Sequence, residues 1–244
     1  MSRFDEADDP RRRLLIKALA AGLFSTTLAD KEALAGSLFG TPPKQLPPGQ
    51  SIYRMDGEVK VNGSAADMKT IIRPNDTIET GKKSEIVFVV GGNSMIMREN
   101  SRLQLEGKEE STSFIIQGLR MLTGKLLSVS RSQATRVHTS TATIGIRGTG
   151  YYIEADPEQT YFCTCYGRTE AESSADPTSK DTITAMHHDK PLYILANQPA
   201  GQNIRRAGFI NHTDQELMLI ETLVGRQPPF VFAGDEYNTP RRDY

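Results

Sequence analysis

The chain has 244 residues, a net charge of −1 from 29 basic and 30 acidic side chains, and 37% hydrophobic residues. That balance is too apolar for a disordered chain and lacks the basic excess of a polyanion binder, so no nucleic-acid partner is expected. Two cysteines exclude a disulfide-dense scaffold, and 7% aromatics with no Trp argue against a stacking platform for sugars or bases.

Residues 1–35 read as an export signal. An acidic start over residues 5–9 gives way to Arg11, Arg12 and Arg13, then to an apolar run from Leu14 to Phe24 and to small residues. Arg12-Arg13-Leu14-Leu15-Ile16-Lys17 is similar to the twin-arginine export signature of paired arginines, spacer, two apolar residues and lysine. Lys17 interrupts the run, which ends by Leu28, short of the ~20 apolar residues of a spanning helix. Thr27-Leu28-Ala29 and Ala33-Leu34-Ala35 both suit a signal-peptidase cut. The competing reading is a surface amphipathic helix with a basic flank. The export reading places the mature chain in the periplasm, without a membrane span of its own.

Residues 36–50 form a linker whose Pro42-Pro43 and Pro47-Pro48 pairs make it stiff and extended. A β domain is expected over 51–172. Glu58-Val59-Lys60-Val61 alternates and meets Asn62-Gly63, a strong hairpin signal. Met68 to Ile72 leads into the turn Arg73-Pro74-Asn75-Asp76. Glu85 to Val90 is continuously apolar after its first residue, so both faces of that strand should be covered. Further runs follow at 95–97, 103–105, 114–116, 126–129, 136–138, 151–153 and 161–166. Strands recurring every ten or so residues predict a mainly β fold: a multi-strand roll, sandwich or short solenoid.

Residues 173–244 read as an extension. Residues 182–186 and 192–195 look like a strand pair around His187-His188-Asp189-Lys190-Pro191. Thr213-Asp214-Gln215-Glu216 is a capping box opening a short helix over 213–224. Leu217, Ile220, Leu223 and Val224 make its apolar stripe, Gly225 stops it and Pro228-Pro229 forbids resumption. The helix, about three turns long, is marginal alone and must pack on the β domain, capping one end and covering an otherwise exposed edge. Ile220→Asp should therefore lower thermal stability, because it buries an unpaired charge. The tail from Ala233 looks loosely held.

The order of elements resembles the FecR domain family. The carriers are Asn75-Asp76-Thr77-Ile78-Glu79-Thr80-Gly81, the apolar strand to Val90, Gly92-Asn93-Ser94, residues 98–105, and the hallmark Gly145-Ile146-Arg147-Gly148-Thr149. The resemblance covers residues 53–172 and implies a periplasmic recognition domain that meets another envelope protein. Family members that regulate sigma factors join a cytoplasmic helical segment and a membrane span to this domain. Here the arm ahead of the leader is about ten residues, which puts control of iron-uptake transcription in doubt. In physical terms, Gly145 and Gly148 bracket a bend, Arg147 offers a planar donor fork, and Thr149 can fix the turn locally. The stretch reads first as a corner of the β fold.

Cys163-Thr164-Cys165 lies in a strand, so both sulfurs share one face. A disulfide across two strand residues sits near the upper Cα separation of about 7 Å. With His187 and His188 the pair could make a Cys2His or Cys2His2 metal site, provided one backbone kink turns the neighbouring histidines the same way. Buried thiols acting as core hydrophobes are the leading reading, and a bent redox-active disulfide is a third. His138 and His212 look isolated and ordinary. No nucleophile elbow, phosphate loop, dinucleotide fingerprint or His-Glu-x-x-His occurs, so a non-enzymatic binding or sensing module that recognises an envelope protein or an extracellular polymer is expected, without a cofactor unless the metal reading holds. The alternatives are a small periplasmic metal or redox protein and a structural subunit of an envelope assembly.

Overall fold

The structure, a computed structural model, describes residues 43–111 and 113–230, without the side chains of 131–133. The export-signal residues Arg12, Arg13 and Lys17 and the tail from Ala233 lie outside the described residues. Turn chemistry sets the first ladders. Strands β1 (Ile52–Asp56), β2 (Val59–Val61) and β3 (Ser64–Ala65) come first, with Val61 opposite Ser64 across Asn62-Gly63. Both loop residues have positive φ, 52° and 78°, the two-residue turn whose twist matches its strands. Asp76 N–H closes the next turn on the Arg73 carbonyl at 3.2 Å, with Asn75 at φ 72°. Strand β4 (Thr77–Thr80) follows, then the hairpin of β5 (Glu85–Val90) and β6 (Asn93–Met97) around Gly91-Gly92.

The middle of the chain is built on longer strands than its apolar runs suggest. After β7 (Arg102–Glu110), residues 113–138 form a single strand of 26 residues, β8. The runs at 114–116, 126–129 and 136–138 are thus stations on one strand. One edge of β8 pairs first with β7 and then with β6, while the other receives β9 (Ala142–Ala155). β10 (Gln159–Ser173) extends the sheet. All thirteen strands join one antiparallel sheet, completed by β11 (Lys180–Ala185), β12 (Leu192–Leu195) and β13 (Ile204–Arg206). The expected pairing of 182–186 with 192–195 is not made. β11 and β12 lie end to end along the same edge of β10, on residues 167–172 and 159–162. Residues 163–166 fall in the gap between them, and the His187-His188 loop bridges it, His188 N–H donating to the Cys165 carbonyl at 2.9 Å.

Period-2 alternation gives this sheet two apolar faces. Ile78, Phe88, Met95, Leu103, Leu126, Ile153, Phe162 and Ile194 belong to one buried cluster. Its members come from strands across the whole sheet, with Ile72 from a loop, so distant parts of the sheet pack against one another. The alternate residues Val87, Ile96, Leu127, Val129, Tyr152 and Tyr161 face outward, into a second cluster beneath helix α1 (Asp214–Leu223). The apolar run of β5 follows: Ile86 and Phe88 point inward, Val87 outward, and all are buried.

Helix α1 forms as the sequence predicts, with Thr213 Oγ1 accepting from the Glu216 N–H and Glu216 accepting from the Thr213 N–H. Its end closes by Arg226 N–H to the Glu221 carbonyl and Gly225 N–H to the Thr222 carbonyl, which satisfies two terminal carbonyls. Leu217, Ile220 and Leu223 are buried on the outer face of the sheet rather than on a strand edge. Two polar ties fasten the helix: Arg98 to Glu216 at 2.8 Å, and the buried Glu221, which accepts from the Tyr166 hydroxyl and from Arg226 Nε at 2.8 Å. Leu46 N–H of the linker donates to the Leu223 carbonyl at 3.0 Å. No helix among the described residues is long and apolar enough to cross a membrane.

Candidate functional site

Two places on the domain carry unusual chemistry. The first is the hallmark Gly145–Thr149, which lies inside β9 at a bend that crosses three strands. The β8–β9 register shifts between Ser130 and Ala134, and the β9–β10 register shifts on both sides of Tyr166. Gly148 sits at φ 63°, a conformation side chains disfavour, and the Tyr166 ring lies over Gly150, where a Cβ would stand 2.5 Å from Cε1. The two glycines thus let the bend form and let Tyr166 reach Glu221.

On the strand side of the bend, Arg147 is exposed and stands directly opposite Arg168 of β10 and Ala134 of β8. Like charges facing each other across strands are destabilising, so this pair has no folding rationale of its own. Arg136, Arg147, Arg168, Glu170 and Gln117 line an open groove of about 460 Å³, with Gly145 in its floor. Glu170 is its one acid and bonds Arg168 at 3.2 Å. The groove offers planar donor forks to carboxylates.

The second place is the gap in the β10 edge. Strand alternation places Cys163 and Cys165, like Tyr161, on the outer face; both are 0% exposed, and neither forms a disulfide. His188, at φ 56°, supplies the kink the sequence called for, and Asp189 holds the loop by accepting from the Met186 and His187 N–H groups. From the far side comes His212, immediately ahead of α1 and 3% exposed. Cys163 Sγ is 3.5 Å from His188 Nδ1, Cys165 Sγ is 3.3 Å from His212 Nε2, and the two nitrogens are 3.1 Å apart. All four ligand-type atoms lie within 4.8 Å of one another.

The outer nitrogens of both imidazoles are engaged. His188 Nε2 lies 2.8 Å from Asp214 Oδ1, and His212 Nδ1 lies 2.7 Å from the Ile210 carbonyl. A carboxylate and a carbonyl only accept, so each outer nitrogen carries a hydrogen, and in the neutral imidazoles the inner nitrogens present lone pairs. Burial works to push the Cys163 thiol up, but hydrogen bonds with Cys165, His188 and His212 outweigh it and hold the thiol well below its ordinary range. Burial likewise works to lower His188, and the Asp214 carboxylate with Cys163 outweighs it and raises the imidazole. Tyr152 stacks on His212 at 4.5 Å, and Phe209 lies 4.5 Å from both rings.

His187 stands outside this foursome. Half exposed, its Nε2 lies 3.1 Å from Asp214 Oδ2. His138 is elsewhere, 3.2 Å from Thr143 Oγ1. The sequence therefore located three of the four converging residues and missed His212, read as isolated. The available signal was its place: a histidine directly before a capping box is carried wherever the helix docks. Asp214, the first residue of α1, was passed over for the same reason.

Residues 76–168 match the family model described as "FecR protein". Two crystal structures of a "putative anti-sigma factor" from Parabacteroides distasonis ATCC 8503 are similar, at 15% and 13% identity and a TM-score of 0.43. Each match covers 54% of this chain and 58% of the other. No curated protein matches. The matched span contains the hallmark Gly145–Thr149 and both cysteines, while His188 and His212 lie beyond it. The likeness of this chain to the FecR family thus rests on residues 76–168.

Proposed function

We propose that this chain is an exported, non-enzymatic regulatory module of the periplasm, whose FecR domain recognises an envelope protein through the arginine groove. The observation that carries the reading is the exposed Arg147–Arg168 pair. Three arginines of the groove lining share one acid, Glu170, which bonds Arg168, so the opposed Arg147–Arg168 pair calls for a further carboxylate. The partner is therefore a protein that presents an acidic segment. β11 borders the groove, with Thr184 opposite Arg168, and its outer edge has no ladder partner among the described strands. An extended peptide can add there as a further strand while its acidic side chains reach the arginines. The leader read at residues 1–35 supports a periplasmic site of action.

The test is capture of envelope proteins from a membrane and periplasm extract by the full-length chain and by the double charge reversal Arg147→Glu, Arg168→Glu. Both positions are exposed, so the variant should melt like the parent. The expected result is a specific partner that the parent retains and the variant loses, in a chain recovered from the periplasmic fraction. Equal capture by both would move recognition off the groove, and retention of the parent in the cytosol would end the exported reading.

A further inference from the structure

We propose that Cys163, Cys165, His188 and His212 form a closed, four-ligand site for zinc(II) that fastens the C-terminal layer to the FecR domain. Geometry is the first argument. With Zn–N bonds of about 2.0–2.1 Å and Zn–S bonds of about 2.3 Å, tetrahedral coordination puts two nitrogens roughly 3.3 Å apart and a nitrogen and a sulfur roughly 3.6 Å apart. The structure holds the nitrogens 3.1 Å apart and the nitrogen–sulfur pairs 3.3 and 3.5 Å apart. Three edges of a coordination tetrahedron are thus already near their required length, and the remaining ones lie within 4.8 Å.

Orientation is the second argument. Asp214 and the Ile210 carbonyl engage the outer nitrogen of each ring, so both inner nitrogens turn a lone pair toward the sulfurs. Carboxylate–histidine and carbonyl–histidine pairs of this kind fix the tautomer that metal ligation requires. Asp214 is in turn held by His187 on its second oxygen. His187 is therefore a positioning residue behind the ligand His188, not a ligand.

Charge and coordination number choose the ion. Two thiolates and two neutral imidazoles leave a divalent cation electrically balanced, which a fully buried site needs. An S2N2 tetrahedron suits zinc, whereas copper(II) prefers tetragonal sites and iron(II) binds more weakly in the same order of affinities. Four protein ligands under Tyr152 and Phe209 leave no position for water or substrate, so the site is structural rather than catalytic. Its ligands come from β10, from the β11–β12 connection and from the residue before the α1 N-cap, so one ion joins three segments.

The deciding measurement is made on the full-length protein, purified under reducing conditions without a metal-affinity tag. One zinc per chain is expected by mass spectrometry of the element, and its removal by a chelator should expose two thiols to a colorimetric reagent. Cobalt(II) added to the metal-free protein should then give the intense visible bands of tetrahedral cobalt and a thiolate charge-transfer band. Cys163→Ser and His212→Gln should each abolish that band. Asp214→Asn should weaken cobalt binding ~10–100-fold, as loss of a group behind a ligand does. His187→Gln should keep full stoichiometry. Should a ligand variant fail to fold, the parent alone decides: two titratable thiols with no cobalt charge transfer would overturn the site. A Cys163–Cys165 disulfide in the exported protein, or loss of metal on His187→Gln but not on His212→Gln, would also overturn it.

Discussion

The two faces of the sheet solve the same burial problem by different means. The inner cluster around Phe88, Met95, Leu126 and Phe162 is largely apolar and built mostly from strands of its own sheet, with the hydroxyl of the buried Tyr151 as an exception. The outer cluster beneath α1 mixes Leu217, Ile220 and Leu223 with two cysteines, three tyrosines and, at its margins, His188, His212 and Glu221. Most of those polar groups have partners in the segments docked on this face: Cys163 meets His188, Cys165 meets His212, Tyr161 donates to the Gly208 carbonyl and Tyr166 to Glu221, whereas Tyr152 bonds Glu154 of its own strand. The inner face thus depends on shape and volume, and the outer face on partner matching, which costs little only while the layer stays docked. The contrast predicts that the C-terminal layer comes off while the sheet persists.

The comparison can be broken first at Phe88, 0% exposed in the inner cluster. Phe88→Ala should cost about 3–5 kcal/mol, read as a drop in the single global transition in denaturant, because no segment can leave to relieve the cavity. Ile220→Asp should cost less than that ceiling. A buried charge at a 0% exposed position is intolerable, but α1 can undock, which caps the loss at the docking free energy of the layer. Hydrogen exchange should then show residues 212–226 open and β8–β10 still protected, and a global loss equal to that of Phe88→Ala would merge the two regions into one.

Smaller changes sharpen the contrast at its seam. Gly150→Ala would put a Cβ 2.5 Å from the Tyr166 ring and push the hydroxyl that Glu221 accepts. A loss of about 1–3 kcal/mol is expected in melting temperature measurements, as for overpacking elsewhere. Thr213→Ala removes the helix cap and should cost about 1 kcal/mol, seen as fraying of the first turn of α1 by exchange. Because Asp214 begins that turn, fraying should also loosen His188, and a cap loss that leaves the His188 ring order unchanged in NMR would separate the helix start from the cysteine–histidine cluster.

The inner face was readable because it is periodic. Alternation along Val59–Val61 and Leu103–Leu105, Asn62-Gly63, and the doubly buried run to Val90 all report on themselves and their immediate neighbours. The helix over 213–224 was readable because a capping box and a stop glycine are local codes. The merging of three apolar runs into β8 was not, since nothing local says that a polar interval continues a strand. Likewise, the collinear placement of β11 and β12 on β10 depends on pairings between residues far apart in the chain. Cys163, Cys165 and His188 stood out by residue type, but His212 became meaningful only once α1 docked. That step is set by Leu217 and Ile220 packing on Leu127 and Val129, not by anything beside His212.

The hydrogen bond from the linker at Leu46 to the Leu223 carbonyl has a mechanical consequence. The chain enters the domain at the same pole where α1 ends, ahead of its first strand at Ile52. Tension applied upstream of the linker is loaded on the helix terminus before it reaches any strand. A tug on that strap is therefore felt first at the cover of the molecule and only then at the sheet.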